Sequence, residues 1–217
     1  MGRFRPYVIF SAAITLDGKL ATRTGDSKLS SKADKNRVHK LRSKVDAILI
    51  GKNTAKLDDP LLSAHSTKKQ NPIRIILDSN ATLDTNSRIL RTSSKIPTII
   101  VAGQNASKKN LRILKQFPVQ IILCGKHRIN IKKLLVMLSK QGIKKILVEG
   151  GGETNWSFVK GDLTDEIIIT ITPYLVWGAT ATTLVDGDGF STIAQSTKLK
   201  LKNIRKIKNE IILHYKN

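Results

Sequence analysis

Ile146-Leu-Val-Glu-Gly-Gly-Gly-Glu-Thr-Asn-Trp156 is the segment that decides the fold, because an apolar strand-like run leads directly into three consecutive glycines and a helical pattern follows. Without side chains, glycines allow a ligand to approach the main chain closely. A helix that begins just after them directs unpaired N–H groups and a partial positive charge outward, as phosphate-binding turns do. The same pattern also occurs in tight strand-to-helix turns that bind nothing, so both interpretations stay open for this segment alone.

Short β-branched runs alternate with helical patterns along most of the chain. This alternation predicts an α/β fold with a mostly parallel central sheet flanked by helices. Most of the predicted strands lack polar alternation, which is typical of strands that helices cover on both faces. The predicted strands are Tyr7 to Ile14, Ala47 to Gly51, Ile73 to Leu77, Thr98 to Ala102, Gln120 to Cys124, Lys145 to Val148 and Glu166 to Thr172.

Two predicted helices have recognisable ends. Ser31-Lys-Ala-Asp34 has the spacing of a capping box and predicts a helix with three apolar residues on one face, Val38, Leu41 and Val45. Asn130 is predicted to cap a second helix that ends at Gly142. This second helix is expected to turn its leucines inward, namely Leu134, Leu135 and Leu138.

The C-terminal part has a different pattern. Lys198 to Arg205 alternates Lys or Arg with Leu or Ile, and Glu210 to Tyr215 is largely apolar. We therefore predict an antiparallel C-terminal strand pair that turns around Lys208-Asn209. The 217 residues contain no linker, repeat or low-complexity segment, so residues 1–217 are predicted to form a single domain.

The formal net charge of the chain is +22. Clustered Lys and Arg side chains would indicate a nucleic-acid-binding protein, because they neutralise phosphates. Here the lysines are scattered along the chain, and aromatic residues, on which bases stack, make up only 5%. This distribution favours a solvated basic surface that attracts small anionic substrates. A basic nucleic-acid-binding protein stays open as an alternative from a different functional class.

Cysteine usage and hydropathy exclude several other classes. The single Cys124 cannot form an intramolecular disulfide, and no Cys and His cluster has the spacing of a zinc site. No run approaches the roughly 18 apolar residues of a membrane-spanning helix. The apolar run from Val8 to Ala13 is too short for a signal peptide and is interpreted as a strand. We therefore predict a cytoplasmic protein with no metal and no membrane partner.

Four further segments carry polar residues at or just beyond the ends of predicted strands. In a parallel sheet, the loops at the carboxyl ends of several strands converge on one crevice, so these segments are predicted to share a site with the glycines. Taken singly, each of them is equally typical of an ordinary turn or loop. The segments are Thr15 to Thr22, Gly25 to Ser27, Gly51 to Pro60 and Arg74 to Ser79.

In combination and order, four motifs resemble those of the riboflavin-biosynthesis reductases: Thr15-Leu-Asp-Gly-Lys19, Gly51-x-x-Thr54-x-x-x-Asp58-Asp-Pro60, Val148-Glu-Gly-Gly-Gly152 and Val185-Asp-Gly-Asp-Gly-Phe190. This is the family of the reductase domain of the bifunctional deaminase-reductase, and the resemblance extends from about Pro6 to the last predicted strand. It is greatest to the stand-alone archaeal reductases of 2,5-diamino-6-ribosylamino-4(3H)-pyrimidinone 5′-phosphate. The resemblance implies a dihydrofolate-reductase-like fold and a homodimer. It also implies NADPH-dependent reduction of the ribosyl side chain to the ribityl form, with NADH left open as cofactor.

The resemblance also implies which residues form the site. Lys19 and Asp58 are assigned to catalysis. Residues assigned to the cofactor are Ala13, Leu29, Thr54, Asp58, Ser79, Gly150, Gly151, Gly152 and Glu153. Residues assigned to the phosphorylated pyrimidine substrate are Ser27, Arg42, Leu62, His65 and Glu149. The planar donor fork of Arg42 suits a 5′-phosphate, whereas His65 stands where bacterial relatives carry a phosphate-binding arginine.

Zinc deaminases hold their metal with a His-x-Glu and Pro-Cys-x-x-Cys signature. The chain has no such signature, so the resemblance implies reduction without deamination. Within enzymes, the alternative is a dihydrofolate-reductase-like activity on a pterin. The Gly51-to-Pro60 and Glu149-to-Gly152 segments favour the pyrimidine substrate over the pterin.

Overall fold

The computed structural model describes residues 4–64 and 71–217, so the predicted substrate residue His65 lies outside the described residues. The strands are β1 (Tyr7–Ile14), β2 (Ala47–Gly51), β3 (Ile73–Leu77), β4 (Thr98–Ala102), β5 (Gln120–Leu123), β6 (Lys145–Gly150), β7 (Glu166–Ile171), β8 (Lys200–Ile207) and β9 (Glu210–Lys216). The α-helices are α1 (Lys32–Arg42), α2 (Lys52–Asp58), α3 (Arg88–Arg91), α4 (Lys108–Leu114), α5 (Ile131–Lys140) and α6 (Gly152–Lys160).

The chain divides into two compact units. The first contains Met1–Pro6 and His39–Leu147, and the second contains Tyr7–Val38 and Val148–Asn217. Helix α1 and strand β6 each run across the division along the chain. The single domain expected from the sequence stays a prediction. Within the described residues, no helix has the length and apolar content needed to cross a membrane.

The first unit has a parallel arrangement of β5, β4, β3 and β2, in that order. Every residue of β2 and β4 is buried, as expected for apolar strands covered on both faces. Strand β5 differs because Gln120 and Leu123 at its two ends are exposed. Its partner in this unit is β4, so it receives cover from fewer neighbours than β3 does.

The second unit combines parallel and antiparallel pairing. Strand β1 pairs in parallel with β7, from Ile9 opposite Glu166 to Ile14 opposite Ile171. Strand β9 then pairs antiparallel with both β7 and β8. The predicted turn at Lys208-Asn209 is present, and Lys208 has the positive φ of +54° that such a tight turn requires. The α/β fold with a mostly parallel sheet and an antiparallel C-terminal strand pair is therefore confirmed.

Most predicted strands agree with the structure, and the differences lie at their ends. The strand predicted from Lys145 to Val148 continues to Gly150, so Glu149 and the first glycine belong to β6. The strands that begin at Gln120 and Glu166 are each one residue shorter than predicted. The C-terminal pair spans Lys200–Ile207 and Glu210–Lys216. Pairing can continue past the apolar run, because backbone hydrogen bonds do not depend on side-chain polarity.

The predicted capping box at the start of α1 is only half correct. The Ser31 hydroxyl accepts a hydrogen bond from the Asp34 N–H at 3.2 Å, as expected for a cap. However, the Ser31 N–H and hydroxyl both donate to Glu210, at 2.9 and 2.6 Å, so Glu210 replaces Asp34 in the reciprocal bond. The buried Asp34 carboxylate instead accepts from the Thr170 hydroxyl at 2.7 Å and from Arg37 Nε at 2.8 Å. A contact from the far end of the chain therefore overrides the local motif.

The helix predictions are correct for α5 and less so for α1. Asn130 caps α5 by accepting from the Lys133 N–H at 3.0 Å, and Gly142 follows the helix with φ of +83°. The three leucines expected to face inward are fully buried: Leu134, Leu135 and Leu138. Helix α1 ends at Arg42, so Val45 lies beyond it, and Val38 and Leu41 are only half-buried.

Candidate active site

The predicted turn from strand through glycine to helix is present between β6 and α6. Gly150 and Gly151 have φ angles of +117° and +91°, which residues with a side chain rarely adopt. A Cβ at Gly150 would meet nothing within 4 Å, so there is open space beside this residue. No side chain caps the first turn of α6. These features agree with a site at which a phosphate could meet backbone N–H groups.

The third glycine has a different environment. A Cβ added at Gly152 would overlap the carboxylate of Asp186 and would lie 2.9 Å from the Thr183 carbonyl oxygen. Gly152 is also buried, whereas the neighbouring Glu153 is exposed. At Gly152, therefore, residues of the same chain approach the main chain so closely that they leave no room for a side chain.

Lys19 lies in a tight turn that follows β1. The Thr15 N–H donates to the Lys19 carbonyl at 2.9 Å, and the Thr15 hydroxyl accepts from the Lys19 N–H at 2.8 Å. Gly18 occupies the corner of this turn with φ of +81°, and its N–H donates to the Thr15 carbonyl at 3.0 Å. Both backbone groups of Lys19 are therefore held, which fixes the point from which its side chain extends.

Asp17 ties this turn to the segment that follows β7. Its carboxylate accepts the N–H groups of Val176 and Trp177 at 3.2 and 2.9 Å. The pKa of Asp17 is lowered to about 2, chiefly by a hydrogen bond from the Thr15 side chain; desolvation opposes this effect, and the N–H donors Val176 and Trp177 lower the pKa further. Sequence analysis missed this role of Asp17, because both N–H donors lie more than 150 residues away in the chain.

We expect the Asp17→Asn variant to be less stable than the wild type only at pH values at which Asp17 of the wild type is ionised. The folded-state pKa lies below the ordinary aspartate value of 3.8, so the stabilisation is fully present above that value and is lost as the pH falls towards about 2. Urea unfolding of both proteins between these limits and neutral pH measures the difference. A difference that stays constant across this range would contradict a role for the charged carboxylate.

Ser27 and Leu29 lie in an irregular segment between β1 and α1. Thr22 and Asp26 hold its first part, since the Thr22 N–H donates to the Asp26 carbonyl at 3.0 Å and the Asp26 N–H donates to the Thr22 hydroxyl at 3.1 Å. The Leu29 N–H then donates to the Ser27 carbonyl at 2.7 Å. Ser27 is exposed and Leu29 is half-buried, so both side chains are placed on the surface of the second unit.

Thr54 and Asp58 lie on α2, and not in the loop expected from the sequence. They are four residues apart, so their side chains lie on the same face of the helix. Thr54 is half-buried and Asp58 is exposed. The helix ends where Asp59 takes a left-handed φ of +36°, and the Asp59 carboxylate accepts the Arg88 N–H at 2.7 Å. The end of α2 that carries Asp58 is thereby attached to α3.

Ser79 follows β3 in a turn that Asp78 stabilises. The buried Asp78 carboxylate accepts the Thr82 N–H at 2.6 Å and the Thr82 hydroxyl at 3.3 Å. The Ser79 carbonyl accepts the Gly103 N–H at 2.9 Å. A half-buried Ser79 side chain therefore projects from a turn whose backbone is fixed on two sides.

Arg42 and Leu62 lie close to the same loop of the first unit. Arg42 is the last residue of α1, and its Nη1 donates to the Ser63 carbonyl at 3.2 Å. A ring nitrogen of His39 lies 3.3 Å from the same carbonyl oxygen. Leu62 is buried with a positive φ of +53°, so its side chain packs inside the unit.

The structure thus places the predicted site residues in two groups. Those of the first unit are Arg42, Thr54, Asp58, Leu62 and Ser79. Those of the second unit are Ala13, Lys19, Ser27, Leu29, Glu149, Gly150, Gly151, Gly152 and Glu153. Ala13 lies half-buried in β1, and Glu149 lies half-buried in β6 just before the glycines. Their roles toward cofactor and substrate stay predictions.

The fold and these groups define an α/β protein with two distinctive turns. Gly150 to Gly152, the glycine turn, lie at the end of β6, and Thr15 to Lys19, the lysine turn, follow β1 and are held by hydrogen bonds. Comparison with known families identifies the family within this class. The RibD C-terminal domain family matches residues 6–213, and the chain belongs to this family.

Relatives in the family carry a specific enzyme name. The chain is 38% identical to the 2,5-diamino-6-ribosylamino-4(3H)-pyrimidinone 5′-phosphate reductase of Methanothermobacter thermautotrophicus, covering 97% of this chain and 98% of the relative. It is 36% identical to the protein of the same name from Aquifex aeolicus, covering 92% of this chain and 91% of the relative.

A solved structure confirms the fold. RibD from Acinetobacter baumannii superposes with a TM-score of 0.82 at 27% identity, over 98% of this chain and 58% of the other. The dihydrofolate-reductase-like fold implied by the sequence resemblance is thereby confirmed.

Proposed function

We propose that the chain is an oxidoreductase of riboflavin biosynthesis. It reduces the ribosyl side chain of 2,5-diamino-6-ribosylamino-4(3H)-pyrimidinone 5′-phosphate to the ribityl form and does not deaminate the pyrimidine. The observation that carries the proposal is the 38% identity with a reductase of that name over 97% of this chain and 98% of the relative. The matching region includes every residue assigned to the site.

We assign NADPH as the reductant. The positive φ angles of Gly150 and Gly151, the open space beside Gly150 and the first turn of α6, which lacks a side-chain cap, are compatible with a pyrophosphate bound by backbone N–H groups. Thr54 and Asp58, on one face of α2, are assigned to the same cofactor, as are Ala13, Leu29, Ser79 and Glu153. When bound, NADPH supplies the hydride that the reduction consumes.

The substrate supplies the other half of the chemistry. Its ribosylamine ring opens to an imine, and addition of one hydride and one proton to the C=N bond gives the ribityl amine. We assign Lys19 to polarising the sugar, because its turn is rigidly held and its ammonium group is a mobile donor. Arg42 is assigned to the 5′-phosphate, with Ser27, Leu62 and His65 as further contacts, and Glu149 is assigned to the pyrimidine amino groups.

Turnover of the named substrate tests the proposal. Purified protein given this substrate is expected to oxidise NADPH, and mass spectrometry should find a product heavier by two hydrogen atoms that retains both amino groups. Parallel assays with NADH and with dihydrofolate measure the cofactor and substrate preference. Absence of NADPH oxidation with the pyrimidine substrate, or comparable turnover of dihydrofolate, would reject the proposal. Neither the pterin nor the nucleic-acid alternative is favoured, because the relatives that match nearly the whole chain are named pyrimidinone reductases.

We also propose that the protein is a homodimer, as the family resemblance implies. Strand β8 supports this proposal because Leu201 and Ile204 are about half exposed, at 52% and 56%. Exposed apolar side chains on an outer strand are typical of surfaces that another chain covers. Sedimentation velocity that detects only monomer at micromolar concentration would reject it.

A further inference from the structure

The motif Val185-Asp-Gly-Asp-Gly-Phe190 contains none of the residues assigned to the site, yet it makes close contact with α6. We call residues 182–190 the strap. The buried Asn155 of α6 donates from Nδ2 to the Leu184 carbonyl at 2.7 Å. Phe190 packs edge-on against Trp156, with ring centroids 5.1 Å apart. A Cβ at Gly187 would overlap the Trp156 indole, so the strap follows the helix surface closely.

Asp186 anchors the strap beside the third glycine. Its Oδ1 accepts the Thr183 N–H at 3.1 Å and the Thr183 hydroxyl at 2.5 Å, and its own N–H donates to the Gly152 carbonyl at 3.2 Å. The other carboxylate oxygen occupies the space that a Cβ of Gly152 would need. Because Thr183 holds the carboxylate, a side chain at position 152 could enter only by breaking these bonds.

The other face of the strap holds the lysine turn. The Leu20 N–H donates to the Thr182 carbonyl at 2.8 Å, and the Leu184 N–H donates to the Gly18 carbonyl at 3.1 Å. Between these bonds, Lys19 and Thr183 form an antiparallel bridge. Thr183 therefore contacts the Lys19 turn through its backbone, and Asp186 through both its N–H and its hydroxyl.

We propose that Thr183 and Asp186 are positioning residues that hold the Lys19 turn in a fixed place relative to the glycine turn. In this arrangement Gly152 is a glycine because Asp186 lies against it, and its missing side chain does not serve the approach of a ligand. The kinetic part of this inference rests on the proposed reductase function, and the structural part does not.

A double-mutant cycle tests the structural part by thermal unfolding without NADPH. Gly152→Ala is expected to lower the Tm strongly in the wild-type background, since the new Cβ displaces Asp186. In the Asp186→Ala background, the same change should cost less than half as much, because the two nearest atoms both belong to the Asp186 carboxylate and the next, the Thr183 carbonyl oxygen, lies at 2.9 Å. Equal losses of Tm in the two backgrounds would overturn the inference that Asp186 requires the glycine.

NADPH binding to the same variants decides whether a ligand also requires the glycine. The Kd for NADPH of the double variant is expected to equal that of Asp186→Ala alone. A double variant that regains stability and yet binds NADPH as poorly as Gly152→Ala would overturn the inference, because the glycine would then serve the ligand.

Steady-state kinetics test the positioning role. Asp186→Ala is expected to lower kcat about tenfold, because small displacements of a catalytic group have large effects on rate, while the KM for the pyrimidine changes little. Asp186→Asn, which keeps an acceptor for Thr183, should recover most of the kcat. The control is Asp188→Ala in the same strap, since that side chain is 87% exposed and its ion pair with Lys160 is long at 3.9 Å.

Wild-type kcat in Asp186→Ala, or an equal loss in Asp188→Ala, would overturn the positioning role. A lowered Tm with unchanged kinetics of the folded protein would mean a purely structural contact and would overturn it as well. If the wild type oxidises no NADPH, the proposed function fails, while the Tm cycle still decides whether Asp186 and Gly152 are coupled.

Discussion

The Arg74→Met variant is expected to lose about 3 kcal/mol of unfolding free energy, because buried acceptors lose their donors. Arg74 is 0% exposed at the second residue of β3. Its Nη2 donates to the Ile89 carbonyl at 2.8 Å and to the Ile96 carbonyl at 3.2 Å. Nη2 and Nε also reach the Thr98 hydroxyl, at 2.7 and 3.0 Å, and Nη1 reaches the Thr92 hydroxyl at 2.8 Å.

The carbonyl of Ile89 explains why methionine cannot substitute for this arginine. Helix α3 has four residues, so its last carbonyls have no partner within the helix. Arg74 supplies a donor there, and a methionine of similar length would fill the space without one. Burial lowers the pKa of Arg74 to about 10, so the guanidinium remains charged at neutral pH. Burying a charge is itself costly, so its removal offsets part of the loss of unfolding free energy. The expected loss is therefore smaller than the sum over the broken hydrogen bonds would be.

Urea denaturation measures the change in the free energy of unfolding. Arg91→Met is the matched control. Arg91 lies exposed on α3, the helix that contains Ile89, and its replacement should change the free energy of unfolding by less than about 0.5 kcal/mol. Arg74→Lys should fall between wild type and Arg74→Met, because one ammonium group cannot reach all the acceptors of a planar fork. An Arg74→Met variant as stable as the wild type would show that the carbonyls do not depend on Arg74.

Arg74 also shows where sequence-based prediction reached its limit. The apolar run around it correctly predicted β3 from Ile73 to Leu77, since strand formation depends on local pattern. Nothing local indicates that an arginine within that strand is fully buried, because its acceptors are supplied by residues 13 to 24 positions away along the chain. The buried strands and the capped helix α5 could be predicted for the same reason, as their signals lie within a few residues.

Long-range contacts account for the errors in the prediction. Glu210 takes the place of Asp34 in the capping box of α1 from a distance of 179 residues along the chain. The α2 segment from Gly51 to Pro60 was expected to be a loop, because its seven helical residues are too few to give a clear apolar periodicity. The glycine turn was predicted correctly, but the contact between Gly152 and Asp186 was not, since a glycine run does not reveal which neighbour requires it.

The Lys19→Met variant is expected to lower kcat about 100-fold, within the range that a positioned donor contributes to proton transfer. The side chain extends from a turn in which Thr15 holds both backbone groups of Lys19, so the ammonium group starts from a fixed point. Methionine keeps most of the length of the apolar stem of lysine and removes the ammonium group, with its charge and its N–H donors. Binding of NADPH should change little, because Lys19 is not among the residues assigned to the cofactor.

Comparison with a second lysine separates this effect from the loss of overall positive charge. Lys200→Met removes the same charge from an exposed position on β8, and its kcat should equal that of the wild type. Lys19→Arg keeps the charge in a wider, planar group and should recover part of the activity. Wild-type kcat in Lys19→Met would remove Lys19 from catalysis. A large increase in the Kd for NADPH with unchanged kcat would instead assign Lys19 to the cofactor, since its charge would then act on ground-state binding and not on the transition state.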